Sequence, residues 1–363
     1  MGMLKKQSIM DQKEVLVKVF PTHSIFDAFL GGGIPSGITL LAGAPGSGKS
    51  SFALQMASLL TEHFDFDAIY LDSERSLTFN RIKSLFNYYT QKLDKLERVA
   101  EPSIEDLANE LKERLDIIYS YQLKHKKDLV SFVNEFFNDY KAIFIWDSIA
   151  SVRSKSVLAK LNKKLNSGDD LSKLAIAETA RILATVFTNI VLPYGDYAIP
   201  FIAITHMKQK IDMNPYAPKD FDLKGLEGKV LKGGWTPMYL AHNIIILNAK
   251  KQIDENNIWV EFKLIKSRVT SPKKFRVVFN YNWGYREDIN LFYLFKEYGY
   301  IKNKGAYFQI SDDSKNYRKD TLMKKIANEI DKYREVFYKE ILPKEQSIEI
   351  SDDNTPSILK EIN

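Results

Sequence analysis

Ile38-Thr39-Leu40-Leu41-Ala42-Gly43-Ala44-Pro45-Gly46-Ser47-Gly48-Lys49-Ser50-Ser51 decides the reading of this chain, because a short apolar run passes through a glycine-rich turn into helix-forming residues. Gly43 to Ser50 fits G-x-x-x-x-G-K-[ST], directly after a strand and before a helix-like Ser51 to Leu60. Glycines let such a loop curl around phosphate with its N–H groups inward, and the helix N-terminus adds a favourable dipole. Lys49 can then reach the β and γ oxygens while Ser50 ligates Mg2+. The candidate ATP-binding set is Gly43, Ala44, Pro45, Gly46, Ser47, Gly48, Lys49, Ser50 and Ser51. A chance glycine turn is the weaker reading, since strand, loop and helix all agree with the pattern.

Outward from this loop, apolar runs recur at Ala68–Leu71, Ala142–Trp146, Phe201–Ile204 and Ile244–Leu247, separated by amphipathic stretches. With Ile38–Ala42 they predict an α/β fold, a mostly parallel central sheet between helices. Between Ile258 and Phe279, Trp259, Glu261, Lys263 and Ile265 interleave with apolar neighbours, which predicts antiparallel strands extending the same sheet. Val15–Phe20 alternates before Pro21 and reads as a short exposed strand or extended arm. After Tyr281 the composition turns to Tyr, Lys and Asn, with helices expected near Asp288–Tyr298 and Tyr317–Lys339. The expected organisation is an N-terminal oligomerisation arm and lead-in over 1–36, an ATPase core over 37–283, a small C-terminal α+β appendage over 284–343, and a flexible acidic tail over 344–363. No internal repeat stands out.

The composition of the 363 residues, 45% hydrophobic and 27% charged, excludes a wholly disordered, collagen-like or coiled-coil chain. No apolar run approaches the roughly 20 residues of a membrane span, and Met1–Lys13 lacks the apolar segment of a signal peptide, so a soluble, cytoplasmic protein is expected. Without cysteine there is no disulfide framework, thiolate nucleophile or cysteine zinc site, and His23, His63, His125, His206 and His242 are scattered. Any metal is therefore held by oxygen. The net charge of +6 permits a polyanionic partner without demanding one.

Two acidic strand ends complete a hydrolytic reading. Asp147 closes Ile143-Phe144-Ile145-Trp146, where an acid can hold a magnesium-bound water. Tyr70-Leu71-Asp72-Ser73-Glu74 offers Glu74 as the base that orients water, with Asp72 weaker; the bland alternative is that both cap the next helix.

Further blocks carry a family likeness: Pro21-Thr22-His23-Ser24-Ile25-Phe26-Asp27, Gly31-Gly32-Gly33-Ile34-Pro35-Ser36-Gly37, Asp72-Ser73-Glu74, Ile204-Thr205-His206, Lys232-Gly233-Gly234-Trp235-Thr236-Pro237-Met238-Tyr239 and Lys266-Ser267-Arg268. Through them the chain resembles the RecA-type recombinases, above all their phage UvsX-like branch, from about Phe20 to Phe308. The resemblance implies a RecA-like P-loop ATPase core, Glu74 as the catalytic glutamate and His206 as the γ-phosphate sensor. It also implies that Lys266 and Arg268 are catalytic cations reaching the ATP of a neighbouring subunit, beside Lys49. Arg153, Lys155, Lys160, Lys163 and Lys164, and after His206 the residues Lys208, Lys210, Lys219, Lys224, Lys229 and Lys232, match the family's two DNA-binding loops; Gly233, Gly234 and Trp235 join the second. Solubilising charge is the bland alternative for these lysines, and a solvated basic strand edge for Lys266 and Arg268. Trp235 or Met238 is expected to wedge between bases or to be buried under the loop. Arg81 stands where the family places an adenine-stacking aromatic, with Phe79 nearby.

The implied activity is that of a DNA-dependent ATPase using ATP and Mg2+. It would form a helical filament on single-stranded DNA and pair it with homologous duplex DNA, with loading and single-strand-binding proteins as partners and no membrane. A hexameric DNA helicase and a non-exchanging ATP-binding accessory protein are the rival readings; the former normally carries a larger N-terminal domain and the latter a damaged hydrolytic site. Lys49→Ala is expected to abolish stable ATP binding in a calorimetric titration, whereas parental affinity would remove the phosphate-loop assignment.

Overall fold

The computed structural model describes residues 17–75, 77–100, 103–125, 141–164, 172–196, 198–209, 226 and 229–343. Each apolar run forms a strand, one to six residues longer than its apolar segment. In chain order the strands are β1 (Val19–Phe20), β2 (Ile34–Pro35), β3 (Gly37–Gly43), β4 (Asp67–Asp72), β5 (Leu96–Val99), β6 (Ala142–Asp147), β7 (Pro200–Gln209), β8 (Lys229–Leu231), β9 (Asn243–Gln252), β10 (Asn257–Ser267), β11 (Lys273–Asn280), β12 (Ile301–Lys304), β13 (Tyr307–Ile310) and β14 (Asn316–Tyr317). Among the described residues, nine of them make one sheet in the order β11-β10-β9-β3-β7-β6-β4-β5, with β8 on β7. From β9 to β5 the neighbours run parallel, while β10 and β11 pair antiparallel. This is the expected α/β sheet with its antiparallel extension.

Both faces of the sheet are covered, which is why central strands such as β3 and β6 are buried along their whole length rather than at alternate positions. Along β3, Ile38, Leu40 and Ala42 join one buried cluster with Trp146, Phe187, Phe201 and Leu107, beneath the helices Ile104–His125 and Ser172–Val186. Leu41 points the other way, into a cluster with Phe52 and Met56 of the helix Lys49–Phe64. That second cluster runs without interruption into the C-terminal segment, through Phe262, Phe275, Tyr285, Leu291, Phe295, Ile326 and Phe337.

Several local expectations change. The helix after the glycine loop begins at Lys49 and ends at Phe64, wider than Ser51–Leu60, because Gly48 at φ 81° starts it directly and Asp65 in the left-handed region stops it. Of Val15–Phe20 the described part forms only β1, which pairs with β2 of its own chain; Phe20 is buried against Phe64 and Phe66 rather than exposed. The expected Tyr317–Lys339 helix breaks at Glu329 into Lys319–Asn328 and Ile330–Val336. Its first residue, Tyr317, belongs instead to the three-stranded β12-β13-β14 sheet. β5 was not anticipated: it pairs with β4 alone among the described strands, and its Glu97 and Arg98 blunt an exposed edge. The acidic tail, residues 1–16 of the arm and the 126–138 part of the unassigned Ile117–Asn138 stretch lie outside the described residues.

A buried ion pair ties the C-terminal segment to the N-terminal lead-in. Arg334 donates from Nε and Nη2 to Glu287 at 2.9 and 2.6 Å, and the Ile25 N–H donates to the same carboxylate at 3.0 Å. Burial pushes the Glu287 pKa up, against the pull of Arg334. Removing one partner of such a pair strands the other charge, so Arg334→Met is expected to cost about 3–5 kcal/mol in urea unfolding. Adding Glu287→Gln should recover part of that loss; equal or greater destabilisation in the double variant would show that the pair is not the cause.

Candidate active site

The parallel strands bring their carboxyl ends to one rim, where ligands of open α/β sheets bind. Gly43 lies level with His206 on β7, and Asp72 level with Asp147 on β6. The loop between β3 and the Lys49–Phe64 helix is backed by Tyr285, whose buried hydroxyl donates to the Ser47 carbonyl at 2.9 Å. Gln55 holds this support in place, accepting from the Tyr285 N–H at 2.7 Å and donating to the Trp283 carbonyl at 3.2 Å. Gly48 is required twice over: its φ is 81°, and a Cβ there would sit 2.4 Å from the Tyr285 hydroxyl. Lys49 is buried and donates to the Gly43 and Ala44 carbonyls at 3.2 and 2.9 Å. Burial pulls its pKa down, while the Asp147 and Glu74 charges resist.

Asp147 receives the Tyr70 hydroxyl on Oδ2 at 2.7 Å; among the described residues its buried Oδ1 has no hydrogen-bond partner. Burial raises its pKa, opposed by the Ser50 and Tyr70 hydroxyls. An orphaned carboxylate oxygen beside a serine hydroxyl is the hard, oxygen-only donor set that suits Mg2+. Asp72 is different. It is buried in an ion pair with Arg98 and its Oδ1 accepts the Arg75 N–H at 2.6 Å, so the weaker candidate base is a structural acid. Those bonds fix the strand end from which Glu74 projects, helped by the Ser73 and Glu74 N–H groups on the Asp147 carbonyl at 2.9 and 3.1 Å. Glu74 Oε2 lies 3.1 Å from His206 Nε2.

From His206 the backbone leads away from the phosphate loop. β7 runs on to Gln209 and pairs with β8, and the Lys232 N–H donates to the His206 carbonyl at 2.9 Å. Thr205 Oγ1 donates to the Lys232 carbonyl at 2.6 Å. Gly233 and Gly234 follow, both at positive φ, then the helix Thr236–Leu240. Trp235 and Tyr239 are exposed and stacked at 6.1 Å, whereas Met238 is buried, which separates the two wedge candidates.

Of the remaining basic residues, Lys155, Lys160, Lys163 and Lys164 lie in the helix Lys155–Lys164 rather than in a loop, and Lys155 is ion-paired to Asp106. Its N–H also donates to Glu105 at 2.9 Å, so the acidic start of the Ile104–His125 helix holds it, and exposed Arg153 precedes it in a bridge to Ser103. Lys208 and Lys229 sit in β7 and β8; Lys210, Lys219 and Lys224 lie outside the described residues.

Lys266 and Arg268 are at the far end of the sheet. β10 runs antiparallel to β9, so Lys266 is level with Ile244 and Leu40, and the Arg268 N–H donates to the His242 carbonyl, whose own N–H reaches Ile38. Ile38 is five residues before Gly43, roughly 16 Å along the strand. Lys266, level with Leu40, is about 10 Å along the strand from Gly43, with its ammonium on the Met238 and Tyr239 carbonyls, so neither cation stands at its own chain's phosphate loop. Arg81, at the position the family gives to an adenine-stacking aromatic, donates in its guanidinium plane to the Tyr281 and Asn282 carbonyls, which fixes the plane and leaves its face to stack. Tyr70, Arg98, Gln55 and Tyr285 were missed by sequence reading, since their partners are 26 to 238 residues away.

No family model matches the chain. A recombination and repair protein of Enterobacteria phage T4 is 26% identical over 315 residues, 84% of this chain and 69% of the relative. DNA repair and recombination protein RadB of Methanobrevibacter smithii is 31% identical over 170 residues, 47% of this chain and 66% of the relative. DNA repair protein RadA of Escherichia coli is 31% identical over 135 residues, 36% of this chain and only 28% of the relative. The chain is related to the RecA-type recombination and repair proteins, and the phage relative aligns along most of it.

His242, between Lys266, Arg268 and the start of β3, accepts the Ile38 N–H on Nδ1 at 3.2 Å. Burial, then the Arg268 and Lys266 charges, push its pKa down to about 4. The folded chain thus keeps His242 neutral where the unfolded chain, near its ordinary 6.5, takes up a proton. Stability held at neutral pH is lost as pH falls from about 6.5 toward 4. Between pH 7 and 4.5 this group should account for about 2–3 kcal/mol of lost unfolding free energy. His242→Gln should flatten the denaturation profile over that window, and an equally steep profile would contradict the assignment.

Proposed function

We propose that this chain is an ATP-dependent DNA recombinase. Its protomers assemble as a filament on single-stranded DNA, hydrolyse ATP at their interfaces, and pair the bound strand with homologous duplex. One observation carries the reading: the phosphate loop and the Lys232–Tyr239 segment hang on adjacent strands, joined through His206 by backbone hydrogen bonds.

Lys49 leaves its loop carbonyls for the β and γ oxygens of ATP, toward which the loop N–H groups turn. Ser50 and Asp147 would hold Mg2+, which when bound neutralises charge on the phosphates. Glu74 orients a water whose oxygen bonds to the γ-phosphorus; the bond to the bridging β–γ oxygen breaks, the water gives up its proton toward Glu74, and ADP leaves. His206, in contact with Glu74, senses the γ-phosphate and passes its presence along β7 to Lys232, Gly233, Gly234 and Trp235.

Lys266 and Arg268 lie away from their own chain's phosphate loop, which supports their acting on the nucleotide of an adjoining protomer. A cation supplied in trans stabilises developing charge only when protomers are stacked, so assembly gates hydrolysis. Arg153, Lys155, Lys160, Lys163, Lys164, Lys208, Lys210, Lys229 and Lys232 would neutralise phosphates of one strand without reading its sequence, with steep salt dependence. Of the arm expected over 1–36, residues 17–36 pack into the chain's own core, so residues 1–16 would be the part that joins protomers, and the acidic tail would compete with DNA for the basic residues. The cell's cytoplasm is the site of action, and among the described residues no helix is long and apolar enough to cross a membrane.

Glu74→Gln should keep ATP and DNA binding and lose turnover by about a hundredfold or more, in line with removal of a positioned general base. In a strand-exchange assay the parent should convert homologous but not heterologous duplex, only with ATP. Parental turnover in Glu74→Gln would discard that residue's role, and unwinding of either duplex without exchange would point to a helicase.

A further inference from the structure

Lys266 has a partner within its own chain. Its ammonium donates to the Met238 and Tyr239 carbonyls at 2.9 and 2.7 Å, at the C-terminal end of the Thr236–Leu240 helix. The last carbonyls of a helix lack partners inside it, and a cation there satisfies them and complements the dipole. A register shift in β10 between Leu264 and Lys266 marks a bulge that turns Lys266 toward this helix.

The helix needs such help. It has only five residues, with Pro237 in its first turn, too short to persist on propensity alone. It is held by the Tyr239 and Ala241 N–H groups on the Trp235 and Pro237 carbonyls, both at 3.0 Å, and by buried Met238. It hangs from Gly233 and Gly234 and carries the exposed Trp235–Tyr239 pair.

We propose that the Lys266 ammonium has two mutually exclusive seats, the carbonyl end of its own Thr236–Leu240 helix and the phosphates of a nucleotide bound by an adjoining protomer. This rests on the trans reading of Lys266 given under the proposed function. Phosphate oxygens are charged and hold an ammonium more strongly than neutral carbonyls do. When a neighbour's ATP takes Lys266, the helix loses its cap and the Trp235–Tyr239 pair is freed to rearrange on the glycine hinge. ATP in one protomer thereby loosens the aromatic segment of the next. The direction is opposite to the route through His206, which runs within one chain, so each segment answers to two nucleotides.

The test is amide hydrogen exchange on the full chain, dilute and free of nucleotide and DNA. Lys266→Met should speed exchange at Tyr239 and Ala241 on the order of tenfold, the size set by a charged hydrogen bond. Lys266→Arg, which keeps a donor, and Arg268→Ala, which keeps the cap, should both stay near the parental rate. Lys266→Gln serves the same comparison should Lys266→Met not fold. The second readout is the emission lost in Trp235→Phe, followed at associating concentrations as a slowly hydrolysed ATP analogue is added without DNA. The parent should shift toward the emission that Lys266→Met already has, and Lys266→Met should not shift. Unchanged exchange in Lys266→Met overturns the relay, and if ATP turnover still falls in Lys266→Met and Arg268→Ala, the trans role stands without it. Faster exchange with parental turnover in both variants removes the second seat and overturns the relay together with the trans reading.

Discussion

The structure depends on the parallel register of β3 with β7, which sets Gly43 beside His206. Sliding β3 by one residue would exchange the side chains of its two buried faces, Ile38, Leu40 and Ala42 on one and Leu41 on the other, and both clusters would have to repack, which fixes that register from both sides of the sheet. Everything polar at the rim inherits its position from this apolar constraint. Glu74 meets His206 because β4 and β6 are locked in turn, Asp72 level with Asp147, and Asp72 is itself pinned by Arg98.

The same sheet has a polarity that shapes how copies of the chain can cooperate. The phosphate loop is at one end of the strands; Lys266, Arg268 and His242 are at the other. A rigid sheet with covered faces cannot bend to bring these ends together. Under the proposed trans arrangement a catalytic centre that uses both would be built from two copies stacked end to end, and the antiparallel run of β10 would carry the cations to the end that meets the neighbour.

Much of this was legible in the sequence. The Gly43–Ser50 pattern, the five apolar runs and the acid at position 147 gave the sheet, the loop and the rim, because each signal is local and periodic. The edge strand β5 escaped, since Leu96-Glu97-Arg98-Val99 is short and carries charge where a buried strand would carry an apolar side chain. The break at Glu329 escaped because the apolar spacing continues across it, from Ile326 to Tyr333, while the backbone turns. Least visible were the supports of the site. Tyr285 beneath Ser47 and Lys266 on the Met238 carbonyl are contacts across 238 and 28 residues, and no local pattern around either partner announces the pairing. The family likeness supplied roles for Glu74, His206, Lys266 and Arg268 that spacing alone left open.

The most direct test of the account is the rate of ATP hydrolysis per protomer, measured across protein concentration with and without single-stranded DNA. A centre completed by a neighbour predicts a rate that collapses on dilution and recovers when DNA gathers the protomers. A rate per protomer that stays constant down to isolated chains, without DNA, would contradict it.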